Sequence, residues 1–301
     1  MKHPEAPRIR RESAAFARDL RLGFETARRY APLVPLRDGR WIPPYPSRPY
    51  CGGRDFGWIR EVLEGSVHLL LSGLYRSGSK QGQWILDDYL DNLHHTPPYG
   101  HVLRDQDELL RSRGGFSVQP CLLARLLPHL ERDEPEIYIW MFFNAFCACY
   151  REEIDGFSEH PLPELGFSNP AQFKTSDEAN AVMSLRCMFL WWSHDLLHFG
   201  RALPREWLGG RGKLGMTKVS TYFGVVDLAY IPDGKNDSIR LEPKLGFRTA
   251  PPKVLARFRH PDKKATEKVT VNGKAWRRFS RSSNDVDITG PDGDVSVVAS
   301  F

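Results

Sequence analysis

The spacing of apolar residues changes along the chain. Up to about residue 210 they recur every three to four positions, and beyond it they alternate with polar residues in short runs. The first pattern is typical of amphipathic helices and the second of half-buried strands. We therefore predict a mainly α-helical domain over residues 1–210, followed by an all-β domain over residues 211–301.

The helical part contains six segments that are long enough for amphipathic helices. Ser79 suits an N-cap, and Pro128 should end its helix early because proline cannot donate the backbone hydrogen bond. The six helices are predicted over residues 13–30, 55–75, 79–93, 120–130, 133–154 and 176–199.

The β part carries two hairpin signals. Residues 269–276 alternate around Asn272-Gly273, the strongest short cue for a hairpin. A second hairpin is predicted from residues 286–288, through a Gly-Pro-Asp-Gly turn, to residues 295–298. Further strands near residues 222–230, 238–241 and 254–258 complete a predicted small β-sandwich.

Composition excludes several classes of protein. With 301 residues, 41% hydrophobic and 26% charged, the chain is of the globular class and can bury a sizeable core. No apolar run approaches the roughly 20 residues of a membrane helix, and the first residues are too polar for a signal peptide. The location stays open, and the cytoplasm is favoured if the chain is complete.

Positive charge concentrates in one segment. The net charge is +5, and between Lys244 and Arg281 twelve residues are basic while only Asp262 and Glu267 oppose them. Such a segment is either a solvated surface or a patch for an anionic partner. It lacks the regular aromatic interleaving of single-strand binders, so nucleic acid is the least favoured partner.

The cysteines and histidines do not form a metal pattern. The five cysteines are odd in number and lack zinc spacing, which favours free thiols. His194 and His198 have the i,i+4 spacing of a zinc helix, but no third ligand is evident. We predict no metal and no organic cofactor.

Two glutamates are the central candidates for chemistry. On a helical wheel of residues 58–75, Glu61 and Glu64 share a stripe with His68 and Tyr75, opposite the apolar side. This stripe is either a solvated face or the wall of a cavity.

The preceding loop favours the cavity, because it holds Trp41, Tyr45 and Arg54. Aromatic rings stack on sugars, and charged groups bind hydroxyls. A carboxylate pair is also the minimal machinery for glycoside hydrolysis. Trp41, Arg54, Trp58 and His68 are therefore predicted to shape a sugar subsite.

Other acidic residues lie at helix ends and on a later helix. Glu159 and His160 lie in a long loop, where Glu159 is predicted as the second catalytic carboxylate and His160 as a binding residue. Asp177 and Glu178 are either binding residues or ordinary first-turn acids.

Asp87, Asp88 and Asp91 lie on one predicted helix, and Asp88 is predicted to bind substrate. Asp87 and Asp91 are like charges at i,i+4 spacing, so they form a solvated face unless hydroxyl groups or an arginine lie near.

A family resemblance adds to these observations. It rests on RDFGWIREVLEGSVHLLLSGLY, WILDDYLDN, RGGFSVQPCLL, SEHPLPELG, FKTSDEAN, PREWL, TYFG and RHPDKKATEKVTVNGKAW. These segments span nearly the whole chain from about residue 13 and resemble the C-terminal portion of bacterial proteins of the six-hairpin glycosidase superfamily.

The resemblance implies an (α/α)6 toroid of six helical hairpins. With six helices predicted, this chain would be a half or partial (α/α)6 toroid followed by a β-sandwich. The rest of the ring would come from a missing N-terminal half or from self-association.

Three functions follow in order of preference. The first is a glycoside hydrolase-like protein acting on an oligosaccharide or polysaccharide, with Glu61 or Glu64 and Glu159 as its catalytic pair. The second is a non-catalytic carbohydrate-binding or assembly protein. The third is a nucleic-acid-associated protein that uses the basic segment.

Overall fold

The structure, a computed structural model, describes residues 3–46, 48–49, 65–92, 123–157, 160–162, 167–169, 175–193, 195–235 and 237–301. The chain divides into two units, Met1–Val182 and Met183–Phe301. This division lies earlier than the predicted boundary at residue 210. Strands that precede residue 210 already pair with strands that follow it, which explains the difference.

Helices dominate the first unit. The described helices are α1 (Ala6–Tyr30), α2 (His68–Leu71), α3 (Lys80–Asn92), α4 (Leu123–Glu131), α5 (Pro135–Cys149) and α6 (Thr175–Phe189), the last of which contains the division between the units. Short strand pairs connect them: β1 (Val34–Pro35) with β2 (Trp41–Ile42), β3 (Tyr150–Arg151) with β4 (Gly156–Phe157), and β5 (His160–Leu162) with β6 (Phe167–Asn169).

The main core of the first unit forms where α1, α2 and α3 meet. Gly82 N donates a hydrogen bond to Ser79 Oγ at 3.1 Å, so the predicted cap of α3 is confirmed. The buried members of the core are Phe24, Tyr45, Val67, Leu69, Leu70, Leu74, Tyr75, Ile85, Leu86 and Tyr89. None of the described helices is long and apolar enough to cross a membrane.

Four helix predictions need correction. Pro128 does not end α4, because its carbonyl still accepts a hydrogen bond from Arg132 N at 3.0 Å. The helix predicted to residue 154 ends at Cys149. The helix predicted over residues 55–75 is described only from residue 65 onward, because residues 51–64 lie outside the described residues. The described part begins with a 3₁₀ turn, Gly65–Val67, and its helix α2 ends at Leu71 rather than at residue 75.

The sixth predicted helix is too long by ten residues. It ends at Phe189, and β7 (Leu190–Trp192) and β8 (Leu196–Phe199) follow instead. The segment is rich in aromatic and aliphatic residues, and Leu197 and Phe199 are fully buried in a sheet. Pairing with distant strands therefore overrides the local helical pattern.

Two sheets form the second unit. The smaller has the order β16-β13-β8-β7, and the larger β15-β14-β18-β11-β10-β12-β17, with β9 also pairing with β10. Every pairing is antiparallel except β8 with β13. The remaining strands are β9 (Leu214–Ser220), β10 (Gly224–Pro232), β11 (Ser238–Leu241), β12 (Lys244–Phe247), β13 (Lys253–Arg257), β14 (Lys268–Val271), β15 (Lys274–Ala275), β16 (Asp285–Asp287), β17 (Gly293–Asp294) and β18 (Val297–Ser300).

One of the two predicted hairpins is confirmed. β14 and β15 pair across Asn272-Gly273, whose φ angles of 49° and 76° suit a type I′ turn. The second prediction was wrong: β16 pairs with β13 in the smaller sheet, and β18 pairs with β11 and β14 in the larger. A turn sequence predicts a reversal of the chain, but it does not fix which strands become partners.

Candidate functional site

The structure describes only part of the predicted site. Arg54, Trp58, Glu61, Glu64 and Glu159 lie outside the described residues, as does the side chain of His160. The described members are Trp41, His68, Asp88, Asp177 and Glu178. The predicted catalytic pair therefore stays a prediction.

Trp41 lies on a small hairpin that packs against α3. Ile42 is buried in a cluster with Val34 and Leu36, and Trp84 of α3 packs against this cluster. Because successive residues of a strand point to opposite faces, burial of Ile42 turns Trp41 outward. The indole is 63% exposed, which leaves an aromatic face open to a ligand.

The same hairpin supplies cations and donors to the acidic side of α3. Arg37 N donates to Asp91 Oδ2 at 3.0 Å, and Arg40 Nη2 lies 3.7 Å from Asp87 Oδ2. Asp38 holds the Arg40 guanidinium through Nε at 2.6 Å. An arginine therefore lies beside these two like-charged carboxylates. Asp87 and Asp91 both contact the hairpin, so they do not simply form a solvated face.

The Asp87 carboxyl is largely buried, with 15% of its side chain accessible. Burial raises the pKa of Asp87 above its ordinary value, although the hydrogen bond from Gln83 and the charge of Arg40 oppose this shift. Gln83 Nε2 donates to Oδ1 at 2.5 Å. Among the described residues, Oδ2 is buried and accepts no hydrogen bond. A carboxyl with a raised pKa is suited to general-acid chemistry.

A second layer of polar groups fixes Gln83. Arg132 donates to Gln83 Oε1 at 2.5 Å, to Ser77 O at 3.0 Å and to Glu134 Oε1 at 2.8 Å. His129 Nδ1 lies 2.8 Å from Glu134 Oε2. Burial opposes ionisation of Glu134, but the hydrogen bonds from His129 and Arg132 lower its pKa to about 2. The network thus orients the amide that binds Asp87.

The predicted binding residues His68 and Asp88 do not share a surface. His68 is exposed, whereas Asp88 is buried with 3% of its surface accessible. Consecutive helical residues are turned by about 100°, so Asp88 faces the interior while Asp87 lies at its edge. Asp88 stays a predicted binding residue, and the neighbouring Asp87 becomes a further candidate.

Two tyrosines from the loop and the helix of the predicted sugar subsite are buried around Glu25. Tyr45 and Tyr75 donate to Glu25 Oε1 at 2.7 and 3.0 Å, and Arg28 donates to Oε2 at 2.7 Å. Burial, with the hydrogen bond to Glu25, raises the pKa of both phenols. Glu25 was missed because its partners are far away in sequence, and its role is to hold α1 to the segments that carry the tyrosines.

Asp177 and Glu178 lie in the first turn of α6. Asp177 is buried at 1% exposure and accepts a hydrogen bond from Ser176 Oγ at 3.1 Å, while Glu178 is half-buried. Ala181 of α6 packs against α5, and β5, which contains His160, also contacts α5. Both elements therefore meet the same helix, and the first-turn position suits an acid whatever its function.

The histidine pair suggested by a zinc-helix spacing is not on a helix. His198 lies in β8, fully buried, and His194 lies outside the described residues. His198 Nε2 is 3.3 Å from Asp285 Oδ1, and Arg257 binds both oxygens of Asp285 at 2.8 and 2.6 Å. In the described part of the chain, no three potential ligand side chains gather into a metal site.

Comparison with known proteins gives structural neighbours alone. No family model and no curated protein matches the chain. One similar solved structure is described as a glycoside hydrolase; it is 11% identical with a TM-score of 0.37, over 79% of this chain and 45% of that one. Another is Ara127N-Se, a GH127 beta-L-arabinofuranosidase from Geobacillus stearothermophilus T6, 11% identical with a TM-score of 0.30, over 60% and 30%. The chain spans less than half the length of either.

Proposed function

We propose that this chain is a carbohydrate-active, glycoside hydrolase-like protein whose helical unit is part of an (α/α)6 toroid. The observation that carries the proposal is the acidic side of α3. There a carboxyl with a raised pKa, Asp87, lies beside Arg40 on the hairpin that exposes Trp41. A carboxyl with a raised pKa can serve as a general acid, an arginine can bind hydroxyls, and an open aromatic ring can stack on a sugar, so the three groups suit glycoside cleavage.

The proposed roles combine these groups with the sequence candidates. The catalytic pair is Glu159 with either Glu61 or Glu64. Asp87 is a further candidate for the acid. Glycosidic cleavage needs one protonated carboxyl and one ionised carboxylate. The proposed substrate-binding residues are Trp41, Arg54, Trp58, His68, Asp88, His160, Asp177 and Glu178.

A hydrolysis screen tests the proposal. The purified chain is offered aryl glycosides and neutral oligosaccharides, and products are measured for the parent and for Glu61→Gln, Glu64→Gln, Glu159→Gln and Asp87→Asn. Loss of a general acid should lower the rate by about 100-fold or more while sugar binding persists, because the shape survives and the proton does not. Asp19→Asn, an exposed carboxylate on α1, is the matched control.

The outcomes separate the residues and the functions. Unchanged turnover in one variant would remove that residue from the catalytic role. Sugar binding without turnover in the parent would favour the non-catalytic carbohydrate-binding alternative. Absence of both binding and turnover across the panel would overturn the proposal.

A further inference from the structure

A cleft lies on one face of the larger sheet in the second unit. Its volume is about 610 Å³, within the range of roughly 300–1,000 Å³ typical of small-molecule sites. None of the predicted site residues lines it. The lining residues that matter below are Lys213, Gly215, Asp227, Ala229, Glu242, Lys244 and Asp294.

The floor of this cleft is free of large side chains. Gly215 of β9 lies opposite Ala229 of β10 in the strand register. A Cβ atom added to Gly215 would lie 2.2 Å from Leu228 O, so the close approach of the two strands requires glycine. The two smallest residues thus face each other and leave room above the sheet.

Charges of alternating sign line the cleft above that floor. Asp227 of β10 is opposite Lys244 of β12, and Lys244 is opposite Asp294 of β17. Directly opposed residues point to the same face of a sheet. Ala229 and Glu242 exchange both backbone hydrogen bonds, at 3.2 and 2.8 Å, so Glu242 joins this face.

Several of these groups are available to a ligand. Across the residues that the structure describes, the side chains of Lys213, Lys244 and Asp294 make no hydrogen bond and no ion pair. Asp227 is fixed, since its Oδ1 accepts a hydrogen bond from Lys218 N at 2.5 Å. Lys218 has φ 53° where the β9–β10 register shifts. Such bulges are over-represented beside binding sites, where they re-aim side chains.

The chemistry of the lining selects the class of ligand. The cleft is lined by three carboxylates, which repel a strongly anionic ligand, and by two ammonium groups, which repel a strongly cationic one. Hydroxyl groups can donate to the carboxylates and accept from the lysines in turn. Met216, Leu228 and Pro243 add apolar surface for C–H groups.

We propose that this cleft is a binding site for a neutral saccharide, held by Asp227, Lys244 and Asp294. No aromatic ring is among the residues found to line the cleft, so recognition depends on hydrogen bonds to hydroxyls rather than on stacking. The site uses residues of the second unit alone. It is separate from the acidic side of α3 and does not require the chain to be a hydrolase.

Ligand-detected NMR on the full chain tests the site, with neutral oligosaccharides of two to four sugar units as probes. The double variant Lys244→Gln/Asp294→Asn removes both charges, keeps a polar side chain at each position and leaves the net charge unchanged. We expect it to weaken binding by about tenfold or more. The matched control Lys253→Gln/Asp262→Asn changes the same residue types at exposed positions outside the cleft and should bind like the parent.

Thermal unfolding of both double variants verifies that they are folded, and Asp87→Asn distinguishes this site from the proposed catalytic one. Binding that is lost in Lys244→Gln/Asp294→Asn and kept in Asp87→Asn supports the cleft. Binding that is lost only in Asp87→Asn, or unaffected by either change, would overturn it. So would the absence of binding by every sugar in the panel, or tighter binding of inorganic phosphate or free glycine at the same residues.

Discussion

At the scale of single residues, Asp285 holds two buried basic side chains together. Its oxygens accept hydrogen bonds from Arg257 at 2.8 and 2.6 Å, and His198 Nε2 lies 3.3 Å away. Arg257 and His198 are 7% and 0% exposed. Burial opposes ionisation of Asp285, but the hydrogen bonds from Arg257 and the nearby His198 ring hold its pKa well below the ordinary value. The carboxylate is therefore ionised throughout the neutral range.

Replacement of Asp285 by Ala should destabilise the second unit severely. The change removes a largely buried carboxylate that accepts two hydrogen bonds from the Arg257 guanidinium, and removal of one partner of a buried ion pair typically costs about 3–5 kcal/mol. Urea unfolding followed by tryptophan fluorescence measures the loss. Asp262→Ala, an exposed carboxylate, should change stability by less than about 0.5 kcal/mol. Equal effects of the two variants would contradict the role of Asp285.

Stability should also fall as the pH is lowered. Burial lowers the pKa of His198, which the Asp285 carboxylate only partly offsets. Below about pH 6.5 the unfolded histidine takes up a proton that the folded one resists, and below about pH 4 the same holds for Asp285. Both effects therefore remove stability on acidification.

The melting temperature measured from pH 8 to pH 4 tests this dependence. In His198→Asn the decline between about pH 7 and pH 5 should be shallower than in the parent, even if the variant is less stable at pH 8. Parallel curves for the two proteins would show that His198 does not contribute.

At the scale of elements, the β14–β15 hairpin depends on backbone conformation at its turn. Gly273 has φ 76° and nothing within 4 Å of an added Cβ, so the conformation alone demands glycine. Asn272 supports the same turn, because its Oδ1 accepts a hydrogen bond from Ser296 N at 2.8 Å.

Gly273→Ala should destabilise the protein by about 1 kcal/mol, since alanine disfavours positive φ. Gly273→Asn should cost less, because asparagine tolerates the left-handed region. Gly210→Ala is the control, as Gly210 also has open space around it but no positive φ. Thermal unfolding ranks the three variants, and an Asn variant weaker than the Ala variant would contradict the explanation.

Local sequence predicted those elements whose determinants lie within a few residues. The Ser79 cap and the Asn272-Gly273 turn are of this kind, and both are confirmed. Strands β7 and β8 were mistaken for helix, and β16 was paired with the wrong strand, because their partners are set by tertiary packing.

The candidate site shows the same limit. The i,i+4 spacing of the carboxylates on α3 indicated that an arginine could lie beside them. That this residue is Arg40 depends on how the β1–β2 hairpin packs, which the sequence does not show. Asp87 was not predicted as a site residue, because a sequence does not show how burial and neighbouring charges act on each carboxyl group.

At the scale of the whole molecule, the apolar stripe of α1 extends beyond the core that it serves. Leu20, Phe24 and Ala27 pack into the first unit, whereas Phe16 and Ile9 are 65% and 53% exposed. With about 100° per residue, Ile9 and Phe16 lie within about 20° of Ala27 on the helical wheel. Phe24 and Leu69 are buried in the core of the first unit, whereas Phe16 is exposed.

We expect the purified chain to associate through this stripe, because apolar surface of this kind favours contact with another surface. Light scattering should show a mass that rises with concentration, and Phe16→Glu should reduce it. Leu22→Glu, on another side of the same helix and 69% exposed, is the matched control and should have little effect. A monomer at all concentrations would contradict the prediction.

The position of β18 bears on how the protein is made in the cell. β18 lies between β14 and β11, and among the described strands it is the one that joins the β14–β15 hairpin to the rest of the larger sheet. It is also the strand that the ribosome synthesises after all the others described. A nascent chain arrested near residue 290 would hold a hairpin that is not yet joined to the larger sheet and an unpaired edge at β11, open to mispairing with other chains. The second unit therefore completes its folding only after β18 has been synthesised. We expect chaperones to protect the nascent chains that still lack β18.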